Sequence, residues 1–401
     1  MADPHSPVPP DSVGPLDPAP APEPAAVDTR AVKPDVSEYG YWERRYVPST
    51  RAELIARCSR GKPPPLVWTP ETARLVPPWE VPYLFEALRG PALTKARNGM
   101  AIWGIVLAGA VAMFAETGGT LGSPMVLWLV LAAVLFGKSV MDFRTLRKMT
   151  PAVLNAEAAE LRDRPAPRRA TGPYTWIVGG AILAVAALQL LAGDLVSGNL
   201  LAGAGETSVR VAGLMKDAVR EGEVWRMLTA ALLHGGLLHL LFNFTALDGL
   251  GRIVEAYSHR AFVPLLFVLS ALGASAASMA AYPSTPSLGA SGGIMGLFGF
   301  LAVIGMRRRH LMPRGFGRSI AVDVALIALM GIAGYQFIDN AAHAGGLVTG
   351  ALIGLLAIPR EGEHPYWTPS RAVRVAGDFC LGVIVIAAVA TMGLLVPVVM
   401  G

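Results

Sequence analysis

Charge is scarce in this sequence. Asp, Glu, Lys and Arg make up 16% of its 401 residues, against about 25% in soluble globular domains, so a soluble globular fold is excluded. Cysteine is nearly absent. Cys58 and Cys380 are the whole complement, too few for a disulfide framework and without neighbours at metal-ligand spacing, so both read as structural. Acidic residues are few too, 29 against 34 Lys and Arg. The formal charge of +5 sits in short loops between apolar stretches, which excludes a nucleic-acid surface and points to membrane topology instead. No basic leader with a cleavage pattern precedes the first apolar run, so the early spans are expected to direct their own insertion.

Hydrophobic residues account for 53% of the chain, arranged in runs close to the ~20 residues that cross a bilayer. Nine runs are expected as spans: Met100 to Ala115, Pro124 to Val140, Tyr174 to Ala192, Met227 to Leu247, Ala261 to Ala281, Gly289 to Met306, Ile320 to Tyr335, Phe337 to Ile358 and Val375 to Met400. Basic clusters at Arg144 to Arg169 and Arg307 to Arg318 mark cytoplasmic loops. Alternation from these loops puts the N-terminus inside and Gly401 outside. The acidic N-terminus (Asp3, Asp11, Asp17, Glu23) argues against a mitochondrial address, which leaves a bacterial plasma membrane as the expected location.

The chain divides by composition. Residues 1–38 form a Pro/Ala-rich cytosolic tail too polar to offset ordering entropy, hence expected to be disordered. Residues 39–98 form an aromatic-rich cytosolic segment, read equally as a small subdomain or a membrane-surface element, with a short helix from Arg51 to Arg57. An extra transmembrane hairpin (99–141), a basic cytosolic linker (142–172), a membrane core (173–359) and a loop with one further C-terminal span (360–401) follow. Small-residue pairs, Gly292 with Gly296, Gly346 with Gly350 and Gly350 with Gly354, predict close helix packing.

Polar groups occur where hydrocarbon penalises them most. His234 and His239 fall in the fourth run, Ser291 opens the sixth and His343 lies early in the eighth. Groups of this kind cost on the order of 1 to 3 kcal/mol each and usually mark a functional cavity. At a rise of ~1.5 Å per residue all four lie within about 5 to 20 Å of the external interface. A serine hydroxyl becomes a nucleophile when a base takes its proton, and a dehydrated, neutral imidazole such as His343 suits that task. Amide attack also needs donors for the oxyanion. His239 and Asn243, at i and i+4, share one helical face and supply candidates together with the Ser291 backbone N–H. His234 is less well aligned and reads as a shaping or water-holding residue.

The motifs HxxxxHxxxN (His234, His239, Asn243), GxSG (Gly289 to Gly292, then Gly296) and a histidine followed by spaced glycines (His343, Gly346, Gly350), with Trp225-Arg226 before them, resemble the rhomboid family of intramembrane serine proteases. The resemblance spans about Tyr174 to Ile358. It implies an all-α polytopic membrane protein: a six-helix core, here with an N-terminal helical hairpin and one extra C-terminal transmembrane helix. It further implies a Ser291/His343 dyad, oxyanion support from His239 and Asn243 with His234 beside them, and no cofactor or metal. Transmembrane proteins in the lipid bilayer are the implied substrates and partners. Trp225 and Arg226 read equally as interfacial anchors. One position departs from the family pattern: an aromatic is common four residues after the serine, whereas Met295 stands here, and a thioether is too flexible to stack as a ring does.

Three rival readings compete with this resemblance. GASGG also satisfies the α/β-hydrolase pattern GxSxG with Asp339 before His343, but the preceding YPSTPSL is a proline-broken loop and not the required strand. Asp339 therefore reads first as a helix cap, with orientation of His343 as the alternative. A zinc site from His234, His239 and His343 lacks the glutamate of an HExxH arrangement. A catalytically silent relative that binds or delivers membrane clients is the remaining alternative, and both Ser291 and His343 are present against it.

Overall fold

A computed structural model describes residues 39–42, 46–117, 124–162, 172–195, 206–309, 312–313, 315–359 and 369–400. The expected disordered tail at 1–38, Gly401 and parts of the basic linker lie outside them. The chain forms two compact units, residues 1–92 and 93–401. The first contains β-structure that the sequence reading, with its helical emphasis, did not anticipate. Strands β1 (Tyr39–Trp42), β2 (Tyr46–Ser49), β3 (Leu66–Trp68) and β4 (Leu75–Val76) form an antiparallel sheet in the order β2-β1-β3-β4. Aromatic and β-branched residues dominate these strands, as pleated half-buried surfaces favour. Helix α1 (Arg51–Ser59) starts at Thr50, whose hydroxyl accepts the Glu53 N–H at 3.2 Å, a helix-initiating cap. Tyr41, Leu54, Cys58, Val67 and Leu84 make the core of this unit. Burial pushes the Cys58 thiol pKa up, against a smaller opposing pull from Arg57, so the thiol is inert packing.

The second unit is helical: α2 (Pro82–Thr117, beginning in the first unit), α3 (Pro124–Lys148), α4 (Pro151–Arg162), α5 (Pro173–Leu191), three short helices α6 (Glu206–Ala212), α7 (Lys216–Arg220) and α8 (Arg226–Thr229), then α9 (Leu237–Tyr257), α10 (Phe262–Ala281), α11 (Ser291–Arg307), α12 (Phe316–Ala333), α13 (Asn340–Ala357) and α14 (Arg371–Met400). Among the described residues seven helices are long and apolar enough to cross a membrane: α2, α5, α9, α10, α12, α13 and α14. The protein is thus a multi-pass membrane protein. Of the other two expected spans, α11 is an apolar helix of 17 residues, and α3 is a helix that carries Lys138, Asp142 and Arg144 and is not among the seven.

The fourth expected span requires correction. Met227 to Leu247 is not one helix: α8 and a 3-10 turn (Ala230–Leu232) are followed by an irregular stretch, and α9 begins only at Leu237. Gly235 and Gly236 interrupt the run, because two adjacent glycines carry the largest entropic penalty for helix formation. His234 is therefore not a residue of a membrane-spanning helix. The eighth run is also shortened at its start, since Asp339 caps α13 and leaves Phe337 and Ile338 in the preceding turn.

Helix α10 lies at the centre, packed on α11, α13, α14 and α5. The tightest crossing is α11 against α13, and glycine makes it possible. A Cβ on Gly346 would run into the carbonyl oxygen of Gly292, and one on Gly350 into that of Gly296. Here backbone meets backbone, the geometry that small residues permit between membrane helices. Glu255 of α9 caps α5: its Oε1 accepts the N–H groups of Tyr174 (3.1 Å) and Thr175 (2.9 Å) and the Thr175 hydroxyl (2.9 Å). An anion is favoured at that helix N-terminus by the dipole as well as by the donors.

The substitution Gly350→Ala should lower stability by about 1–3 kcal/mol, the range of overpacking, and depress the thermal midpoint in detergent. Gly382→Ala on α14, where an added methyl meets nothing within 4 Å, should leave it unchanged or raised. Equal midpoints for the two variants would contradict a close glycine seam.

Candidate active site

Ser291 is the first residue of α11, and His343 lies in the first turn of α13. The α11–α13 crossing brings His343 Nε2 to 2.9 Å from Ser291 Oγ. With the proton on Nδ1, Nε2 accepts the hydroxyl hydrogen; this is the arrangement a base needs to activate an alcohol. Both side chains line one cavity of about 860 Å³ together with His239, Asn243, Gly289, Gly292 and Met295. Its other walls come from α12 (Ile327, Met330), the turn at 335–339, the loop at 282–288 and Leu131 of α3.

Local backbone chemistry sets the Ser291 approach. Gly289 has φ +124°, a conformation that L side chains rarely adopt. It is also crowded: an added Cβ would stand 2.8 Å from His239 Cε1 and 3.0 Å from its Nε2. His239 thus directs its Nε2 edge at the backbone just before Ser291. Its other nitrogen, Nδ1, accepts the Gly235 N–H at 3.4 Å, so the neutral ring carries its proton on Nε2, free to donate into the cavity. Asn243, one turn along α9, donates Nδ2–H to the His239 carbonyl at 3.0 Å and keeps a second N–H.

His234 is placed differently. It is fully buried and does not line the cavity. Its ring packs edge-on against His239 with centroids 5.2 Å apart. Its backbone pairs with the fully buried Gln189 of α5, which donates to the His234 carbonyl (3.1 Å) and accepts its N–H (3.0 Å). Gln189 escaped the sequence reading, although an amide in an apolar run was its visible signal. Trp225 and Arg226 also lie off the cavity. Arg226 is buried, bonded to Glu223 (2.5 Å) and to the Gly213 carbonyl (3.1 Å), with its guanidinium 4.7 Å from the Trp225 ring centre. Its work is to tie the 206–220 segment to α8. Gly346 and Gly350 belong to the helix seam.

Asp339 acts as a cap. One oxygen accepts the Ala342 N–H at 2.9 Å and the other bonds the Ser278 hydroxyl of α10. Its carboxylate makes no hydrogen bond to the His343 ring among the described residues, so the hydrolase-like orienting role has no support in this geometry. No group of three or more His, Cys, Asp or Glu side chains able to hold a metal occurs among the described residues.

Sequence comparison agrees with this architecture. Residues 221–360 match the rhomboid domain. The rhomboid protease GluP of Bacillus subtilis (strain 168) is 34% identical over 178 residues, 44% of this chain and 34% of that protein. RHOMBOID-like protein 5 of Arabidopsis thaliana is 28% identical over 174 residues, 43% of this chain and 56% of that protein. The chain therefore spans about a third and just over half of these two relatives.

A fluorophosphonate probe should label the wild type at Ser291, with labelling slowed about 10²-fold or more in His343→Ala, the contribution typical of a general base. Undiminished labelling of His343→Ala, read by mass spectrometry, would deny the pair its chemical coupling. Asp339→Ala should lower stability by about 1 kcal/mol, as lost caps do, while the labelling rate holds.

Proposed function

Because this chain belongs to the rhomboid family through its domain at residues 221–360, we propose that it is an intramembrane serine endopeptidase acting on the transmembrane segments of other membrane proteins. The observation that carries the reading is the 2.9 Å contact between Ser291 Oγ and His343 Nε2 inside a cavity they share with His239 and Asn243. His343 takes the hydroxyl proton as Ser291 Oγ attacks the scissile carbonyl carbon. The negative charge that develops on the carbonyl oxygen meets the Nε2–H of His239, the second amide hydrogen of Asn243 and the Ser291 backbone N–H. That last group is an orphan donor at the start of α11. Each such donor is worth about 3 kcal/mol when preorganised. His343 then protonates the leaving amine, and a water molecule, deprotonated by the same imidazole, hydrolyses the acyl-enzyme. Met295 stands on the cavity wall where a ring would otherwise flank the histidine.

By the positive-inside reading the N-terminus is cytoplasmic and the C-terminus external, in a bacterial plasma membrane. The site then opens toward the external side. A substrate amide held in a helix keeps its carbonyl hydrogen-bonded, so cleavage should favour segments weakened by Gly or Pro near that side.

Purified protein in liposomes, given a reporter transmembrane substrate, should cleave it, with cleavage lost in Ser291→Ala and His343→Ala and unaffected by chelators. Cleavage by Ser291→Ala at the wild-type rate would refute the proposal. Indifference of the rate to Gly or Pro insertion in the substrate would remove the helix-unwinding requirement.

A further inference from the structure

Lys216 is a buried cation that the chemistry above does not use. It opens α7, is 3% exposed and lines the same cavity as Ser291 and His343. Its Nζ donates to the Tyr282 carbonyl at 2.7 Å, one acceptor for an ammonium that carries three hydrogens. Among the described residues no carboxylate stands within ion-pair distance of it. Asp339 attracts it from further off, but both oxygens of that carboxylate are engaged by Ala342 and Ser278. The neighbouring Arg220 differs in this respect. It pairs with Asp217 at 2.6 Å and donates to the Pro283 carbonyl at 3.2 Å.

The wall holding Lys216 is rigidly tied. Leu214 and Ser287 exchange backbone hydrogen bonds of 2.9 and 3.3 Å, so α7 is fixed against the loop that leads into Ser291. Burial lowers the Lys216 pKa from its ordinary value; attraction to Asp339 opposes that shift and repulsion from Arg220 adds to it. Besides the Tyr282 carbonyl, the Tyr282 ring centre lies 5.9 Å from Nζ, and an ammonium with one hydrogen bond among the described residues gains most from an anionic acceptor, since charge-assisted hydrogen bonds are roughly twice as strong as neutral ones.

We infer that Lys216 is a specificity-determining residue that receives an Asp or Glu side chain of the substrate close to the scissile bond. The inference rests on the proteolytic reading above and adds a substrate class to it: transmembrane segments with a carboxylate within reach of the cavity's α7 wall. Arg should replace Lys216 in part, since the charge survives; Met and Gln should not.

The test uses full-length protein in liposomes and a reporter series bearing a single Asp, or Asn as its isostere, at each position from four before to four after the bond cut. In the wild type, Asp at one position should raise kcat/KM about tenfold over Asn, the scale of one hydrogen bond to a charged group. The Asp-to-Asn ratio should fall to one in Lys216→Met and Lys216→Gln and survive in part in Lys216→Arg. A ratio of one at every position in the wild type, or a ratio that Lys216→Met leaves intact, overturns the inference. A merely structural Lys216 would slow Asp and Asn substrates alike and preserve the ratio. Binding of fluorescent Asp and Asn peptides to the Ser291→Ala protein gives the same ratio without turnover. If no substrate is cut, the proteolytic reading fails, and equal peptide affinities would separately end the assignment of Lys216.

Discussion

The contact of α11 with α13 sets the geometry of the candidate site. Gly346 and Gly350 of α13 lie so close to the carbonyls of Gly292 and Gly296 of α11 that no Cβ fits there, and a Cβ on Gly292 or Gly296 would strike Ala274 or Ser270 of α10. Ser291 stands one residue before the first pair and His343 three before it, so the register of the seam fixes the 2.9 Å between Oγ and Nε2. In lipid there is little hydrophobic drive for helices to associate, and van der Waals contact between small residues takes its place. A methyl group at the seam would therefore disturb packing and the Ser291–His343 distance together. Gly299 extends the seam another turn, where an added Cβ would strike the Leu347 carbonyl.

A second constraint is the pairing of backbone and charged groups that the bilayer would otherwise leave unpaired, while among the described residues both ring nitrogens of His234 and the Ser270 hydroxyl are buried without a hydrogen-bond partner. Gln189 closes the irregular backbone at His234, Glu255 caps α5, Asp339 caps α13, and the 206–220 segment is sewn to the loop at 282–288 through Leu214, Lys216 and Arg220. Non-helical backbone at membrane depth is tolerated where protein groups of this kind satisfy it. These bonds hold rigid the two irregular stretches that border the cavity, the one before α9 and the one before α11. Side chains on a rigid frame can be positioned to the fraction of an ångström that chemistry requires.

Much of this was legible in the sequence for a plain reason: hydropathy over about twenty residues reports membrane helices strongly, and polar residues inside such runs stand out. Ser291, His239, Asn243 and His343 were visible in that way, and so was the glycine spacing of α11 and α13. The break at Gly235 and Gly236 was hidden because Ala, Leu and Gly are as apolar in a loop as in a helix, so the sequence placed His234 on a spanning helix where the chain is irregular. The short strands at 39–76 lack the length for a period-two pattern to declare itself. Lys216 gave no signal at all, since a lysine in a polar stretch between spans reads as a solvated charge until tertiary contact buries it.

The placement of the site at helix starts has an electrostatic logic of its own. Helices α9, α11 and α13 all begin beside the cavity, and His239, Ser291 and His343 lie within about the first turn of each. A helix N-terminus carries roughly half a positive charge together with backbone N–H groups that have no partner within the helix. Three such ends around one low-dielectric pocket make it receptive to negative charge before any substrate arrives. Only the α13 end is offset by a carboxylate of its own, Asp339, while the α9 and α11 ends receive no side-chain cap. The two uncapped ends are those that carry the proposed oxyanion donors. A developing alkoxide would thus take the position that a capping side chain fills elsewhere, and its stabilisation would need no reorganisation of the protein at the moment of reaction.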